Sequence, residues 1–336
     1  MTFLTFRIIF LAGTISLLIS PLLIKWMTRA GIVDKPGSAP HKQHQGAVPI
    51  AGGGVIFLTT LTVLLTQESL HEATIWQIMW PSLVVFAFGL WDDMKGASAR
   101  FKLVGQLLGT IILIVLGIQV QLFDPRLNWL NIGLTIFWVV GITNAFNFVD
   151  SMDGLASGLA GLAAAFFMLA TYDSGQPTLS LFSAVLVGVC LGAYFFNATP
   201  AHYFLGDSGA QWLGFSLASL AIAYNPEGFL RTQSWYLPIL LVGVPIFDTT
   251  LVVFSRLRRG KPIYRANMDH TFHRLVAFGM SRNRAVLFMH VVALLLGCLA
   301  FMALELPPVW ANSAFGMCLL AGVGGILWFD NRTRWK

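Results

Sequence analysis

Polar positions punctuate this chain at long intervals. Apolar runs of roughly 17 to 23 residues, each long enough to cross a hydrocarbon core as a helix, lie at about 5–24, 48–66, 74–91, 103–120, 129–147, 154–171, 178–196, 209–224, 236–254, 285–304 and 308–328. They predict an all-α polytopic membrane bundle of about eleven transmembrane helices. The first run has no small-residue cleavage site of the A-x-A kind and is followed by Lys25, Arg29 and Lys35, so a retained span is expected rather than a signal peptide. No Ser-rich or charged linker divides the chain, and residues 1–336 read as a single domain.

Composition supports the pattern. Of 336 residues, 56% are hydrophobic and only 11% charged, too few charges to cover a water-exposed surface. Cys190, Cys298 and Cys318 all fall inside apolar runs, without metal-type spacing, and read as packing residues. Alternating the runs across a membrane puts eighteen of the 21 Lys and Arg on one side. That bias predicts an outside N-terminus and a cytoplasmic C-terminus. The net charge of +6 is then a topology signal and calls for no nucleic acid.

The acids follow the cations. Asp34, Asp92, Asp93, Asp150, Asp153, Asp207, Asp248, Asp269 and Asp330 share the cytoplasmic side and lie close to apolar span ends, an unfavourable place for a carboxylate unless it has a task. The expected active site is therefore built from the loops 34–54, 91–106, 144–155, 197–209 and 247–276.

Asp92 and Asp93 are neighbours on a helix end, pointing about 100° apart; one carboxylate could face a metal and the other a second substrate, against the plainer reading of a solvated span end. In "NAFNFVDSMDGL", Asn144, Asn147, Asp150 and Asp153 recur every three residues and predict a slowly drifting helical stripe in which Asp150 and Asp153 meet. Polar packing between helices is the alternative, and it suits two Asp poorly. Gly154, Gly158 and Gly161 permit close helix approach. Asp207 in "FLGDSG" is either an ordinary helix-start residue or a further member of the acidic face. Oxygen ligands without clustered Cys favour Mg²⁺, which binds carboxylates together with substrate phosphates. Arg265 in "RLRRGKPIYR", His270, His273 and Arg274 in "DHTFHRL", and Lys42 and His44 in "PHKQHQG" are candidates for phosphate oxygens, with membrane anchoring the competing role for the cations. No Walker P-loop is present. An ion-coupled transporter is the alternative of another class, but transporters place such acids near the midplane.

In order, "DDMKGASARFKLVGQ", "NAFNFVDSMDGLASG", "FLGDSG", "VPIFDT" and "DHTFHRL" resemble the polyprenyl-phosphate N-acetylhexosamine-1-phosphate transferase superfamily, which also contains the phospho-muramoyl-pentapeptide transferases. The resemblance implies a bacterial inner-membrane enzyme. It would transfer a sugar 1-phosphate from a UDP-N-acetylhexosamine to undecaprenyl phosphate and release UMP, with Mg²⁺ and with Mn²⁺ as a substitute. It implies catalytic roles for Asp92, Asp93, Asp150 and Asp153, metal binding by Asp207 and Asp92, and substrate binding by Lys42, His44, Lys102, Asn144, Asn147, Arg265, His270, His273 and Arg274. His270 and His273 match the outer positions of an H-x-H-H motif whose third position here is Phe272, and His41 stands where relatives carry Arg. The "HTFH" loop, in place of three consecutive histidines, implies the branch that begins O-antigen, teichoic-acid or related glycans, with UDP-N-acetylglucosamine as default donor; a modified sugar or UDP-MurNAc-pentapeptide is the alternative. In-line attack and an aspartyl-phosphate route are both open. A homodimer is expected from the resemblance alone.

Overall fold

The computed structural model describes residues 3–34, 46–225, 234–262 and 269–332. Helix is present at each expected apolar run, and among the described residues seven helices are long and apolar enough to cross a membrane. These are α1 (Phe3–Arg29), α3 (Ala73–Lys95), α5 (Asn128–Val149), α6 (Leu155–Asp173), α7 (Pro177–Asn197), α12 (Arg282–Leu304) and α13 (Pro308–Arg332). The remaining runs give shorter helices. α2 (Gly52–Thr66) has 15 residues, α4 (Ala99–Val115) 17 and α8 (Gly206–Ala223) 18. The run at 236–254 is divided at Val242 into α9 (Leu237–Leu241) and α10 (Gly243–Arg258). A seven-residue helix, α11 (Thr271–Ala277), follows.

Burial grades from centre to edge. Every residue of α8 from Ser208 to Ala221 is buried, as expected for a helix apolar on all sides. In α13, by contrast, only Ala311, Phe315 and Asp330 are buried. Small residues set the helix spacing: a Cβ on Gly188 of α7 would lie 2.3 Å from the Ile9 carbonyl of α1, and one on Gly158 of α6 would meet the His290 ring at the same distance.

Local turn chemistry brings the polar ends together. α3 stops at Gly96, whose φ of 67° suits the residue without a Cβ, and α4 starts two residues later with Ser98 accepting from Phe101 N at 3.3 Å. Asp92, Asp93 and Lys102 thus share one end of an antiparallel helix pair. The short strands β1 (Val33–Asp34) and β2 (Val48–Pro49) pair antiparallel, and Pro49 O accepts from Phe204 N at 3.0 Å. That contact ties the start of α2 to the loop that opens α8.

Candidate active site

Two glycines let α2 and α3 press against the first turn of α8. A Cβ on Gly89 would lie 2.6 Å from Ser208 Cα, and one on Gly53 would lie 2.1 Å from Ser208 Oγ. The close approach lays Asp93 over the N-terminus of α8. Asp93 Oδ1 accepts from Asp207 N at 2.8 Å, and Oδ2 accepts from Ser208 N at 3.0 Å and from Ser208 Oγ. A carboxylate there satisfies N–H groups that lack intrahelical partners and meets the positive end of the helix dipole.

Asp92, the neighbouring residue, points elsewhere. Its Oδ2 is 3.0 Å from Lys102 Nζ, and Oδ1 accepts from Ala97 N. The same ammonium reaches Asp207 Oδ1 at 2.9 Å, and the Asp92 and Asp207 carboxyls lie within hydrogen-bonding reach of each other. The expectation that the Asp pair diverges holds, but Asp93 faces a helix end.

Asn147 also hydrogen-bonds Asp207. Asn144 sits deeper: its amide donates to Gln106 Oε1 at 2.6 Å, Gln106 Nε2 donates to Gln211 Oε1 at 2.9 Å, and Gln211 Nε2 donates to Asp207 Oδ1 at 3.2 Å. This amide chain links α4, α5 and α8 beneath the acids. The helical stripe expected from Asn144 to Asp153 breaks, because α5 ends at Val149 and the chain turns through Gly154 at φ 74°. Asp153 therefore lies off the helix and accepts from Ala201 N at 3.3 Å. Burial first, then the Asp207, Asp93 and Asp153 carboxylates, push Asp150 well above the usual carboxylate range.

Such crowding asks for a cation. Among the described residues no three His, Cys, Asp or Glu form a ready-made metal cage. The donors fit Mg²⁺ held by one or two carboxylates and completed by substrate phosphates, and do not fit a zinc-type site.

A second group stands on α10 and α11. Asp248, expected close to a span end, is instead buried in the middle of an apolar segment, where it accepts from His270 Nδ1 at 2.8 Å and from Thr271 N at 2.6 Å. The His270 ring lies 6.1 Å from that of Phe148, which places it beside the Asn147–Asp150 segment. His273 is 6.3 Å from His270, ring to ring. Phe272 is buried, so the departure from H-x-H-H turns an apolar ring into the core, where a histidine would lack water. Arg274 is fully buried; its Nε donates to Asp269 O at 2.9 Å and its Nη2 to Ser255 Oγ at 2.7 Å. Lys42, His44 and Arg265 lie outside the described residues.

Comparison with known proteins identifies the family. The glycosyl transferase family 4 pattern matches residues 75–225, the stretch holding Asp92, Asp93, Lys102, Asn147, Asp150 and Asp207. The chain is 30% identical over 306 residues to the probable undecaprenyl-phosphate N-acetylglucosaminyl 1-phosphate transferase of Bacillus subtilis, an alignment covering 88% of this chain and 84% of that protein. This chain belongs to the polyprenyl-phosphate N-acetylhexosamine-1-phosphate transferase superfamily. It is also 30% identical over 332 residues to the phospho-N-acetylmuramoyl-pentapeptide-transferase of Desulfotalea psychrophila, covering 86% of this chain and 89% of the relative. The decaprenyl-phosphate N-acetylglucosaminephosphotransferase of Mycobacterium tuberculosis is 29% identical over 305 residues, covering 82% and 75%.

In this transferase, local sequence patterns assign Asp248 no role, although "VPIFDT" carries it. The signal that points to it is an acid in the middle of an apolar run, which by default marks a functional position. Gln106 and Gln211 escape sequence reasoning for a different reason. Nothing in their local sequence shows that three helices bring their amides together.

Proposed function

We propose that this transferase moves an N-acetylhexosamine 1-phosphate from its UDP-sugar to undecaprenyl phosphate, releasing UMP, as the first membrane step of a bacterial envelope glycan. UDP-N-acetylglucosamine is the proposed donor, in line with the name of the Bacillus subtilis relative. The proposed topology keeps about eleven crossings, an outside N-terminus and the site at the cytoplasmic face of the inner membrane, because that orientation gathers the cations on one side. One observation carries the reading: a Lys102 ammonium shared by Asp92 and Asp207, on the rim of a cluster in which acids outnumber cations.

In this reading Lys102 takes phosphate oxygens, and Asp92 orients the lipid phosphate and accepts its proton. A lipid phosphate oxygen attacks the sugar-linked phosphorus, the bond from that phosphorus to the bridging oxygen breaks, and the electron pair leaves with UMP. Asp207 and Asp92 would hold Mg²⁺, which when bound supplies neutralising charge to the diphosphate and the departing UMP. Both Asp93 oxygens are committed to the first turn of α8, which supports direct displacement over an aspartyl-phosphate on Asp93. His270, fixed by Asp248, and His273 donate to the nucleotide sugar.

The test is UMP release by detergent-purified protein given undecaprenyl phosphate, Mg²⁺ and UDP-N-acetylglucosamine, with lipid and metal omitted in parallel. Release that needs both supports the reading. Release only with UDP-MurNAc-pentapeptide or another UDP-N-acetylhexosamine would move the donor, and no release from any of them would remove the assignment.

A further inference from the structure

The outermost helix carries a buried acid that the transfer chemistry does not use. α13 buries only Ala311, Phe315 and Asp330, and the third of these is a carboxylate with 3% of its side chain exposed. Asp330 accepts from Arg258 Nη1 at 2.7 Å, from Arg259 Nη2 at 3.1 Å and from Ser255 Oγ. All three partners belong to the last turns of α10 and the residue after it. The same groups reach onward: Ser255 Oγ accepts from Arg274 Nη2, and Arg259 Nη1 lies 3.6 Å from Asp269 Oδ1, whose Oδ2 accepts from Arg256 Nε at 3.1 Å. Asp269 immediately precedes His270, and Arg274 immediately follows His273. A connected set of charges therefore runs from α13 to both ends of the histidine segment. Arg256, Arg258 and Arg259 share the two carboxylates and Arg274 joins them through Asp269 O and Ser255 Oγ, so removing Asp330 takes away the acceptor that holds Arg258, Arg259 and Ser255 to one another.

We propose that Asp330 is a positioning residue for nucleotide-sugar binding: the end of α13 clamps α10 and thereby sets where His270 and His273 stand. The proposal rests on the transferase reading for its kinetic consequence but not for its structural one. It separates Asp330 from the Asp92, Lys102 and Asp207 group, with which it shares no contact, and so predicts an effect on one substrate only.

The test joins kinetics with a measurement that needs no substrate. In Asp330→Asn, the KM for the UDP-sugar should rise about tenfold or more, with kcat falling less and the KM for undecaprenyl phosphate unchanged. In substrate-free protein, carbethoxylation of His270 by diethyl pyrocarbonate, followed by peptide mass spectrometry, should become severalfold faster. Asp330→Glu should recover most of both. Phe315→Ala, which removes a buried ring from the same helix, should lower the melting temperature yet leave both readouts within about twofold. Ser255→Ala cuts the link to Arg274 while leaving both carboxylates in place and should shift both readouts in the direction of Asp330→Asn, so it carries the test if that variant does not fold. Unchanged His270 reactivity and UDP-sugar KM in Asp330→Asn or Ser255→Ala, or the same shifts in Phe315→Ala, would overturn the proposal. If the wild type releases no UMP with any donor, the transferase reading fails, and the His270 reactivity still decides the clamp.

Discussion

Two polar groups at the ends of these helices are built from the same residue types and differ in how their charges are balanced. Around the first turn of α8 the four acids Asp92, Asp93, Asp150 and Asp207 stand together, and Lys102, with 22% of its side chain exposed, touches two of them, Asp92 and Asp207. Behind α10 and α11, Asp269 and Asp330 are outnumbered by Arg256, Arg258, Arg259 and Arg274; both carboxylates are 3% exposed, while Arg258 reaches the surface with 55% of its side chain exposed. An excess of acid at a half-open surface is a state that a cation and phosphates can complete; carboxylates buried against an excess of arginine already have their countercharge and act as a support. His270 belongs to the border between them, fixed by buried Asp248 and edge-on to Phe148.

The largest expected effects fall on the uncompensated group. Lys102→Met, Asp92→Asn and Asp207→Asn should each lower UMP release by at least about 10²-fold, the usual scale for removing one charge-stabilising or proton-transferring group, while the protein still elutes as a folded species from detergent gel filtration. Full activity in any of the three would erase the distinction drawn between the two groups.

Asp93→Asn should separate support from chemistry inside the first group. An amide can accept at one oxygen but sets an N–H₂ against the other donor, so a stability loss of about 1–3 kcal/mol is expected, visible as a lower melting temperature with a smaller activity loss than Asp92→Asn. The opposite order, an unchanged melting temperature with activity abolished, would make Asp93 a chemical participant.

Gly89→Ala tests the close approach itself. Its Cβ would fall 2.6 Å from Ser208 Cα, a backbone atom that cannot rotate away; overpacking of this kind costs about 1–3 kcal/mol, and activity should fall with stability as α3 separates from α8. An active, fully stable variant would mean the helices tolerate a wider spacing.

The smallest effect is electrostatic. Asp150 has a raised pKa, so between its unfolded and folded values the native state holds the extra proton, and stability declines as pH rises through that window. Asp150→Asn should accordingly stabilise the metal-free protein above that window, with the gain fading as pH falls toward the unfolded carboxylate value. Thermal unfolding across pH in chelator would show it, and added Mg²⁺ should shrink the difference.

Much of this architecture is legible in the order of the amino acids alone. Long apolar runs locate the helices because a membrane span must satisfy its backbone internally. Ordered short motifs locate Asp92, Lys102, Asn147, Asp207 and His270, since each stands beside a span end. The stripe expected through Asp150 and Asp153 shows the limit of periodicity: α5 stops at Val149, the left-handed Gly154 opens the next helix, and a three-residue spacing cannot reveal where a helix ends.

The sequence by itself determined the membrane class, the helix positions and the set of polar residues available for chemistry, because these follow from hydropathy and local turn residues. Only the tertiary structure decided the partners. Asp93 became the cap of a helix more than a hundred residues away, Gln106 and Gln211 became one amide chain, and Asp330 became the partner of Ser255, Arg258 and Arg259 at the end of α10. A carboxylate's role depends on which charges and donors stand within a few ångströms of it, and that proximity is set by helix packing across the whole chain.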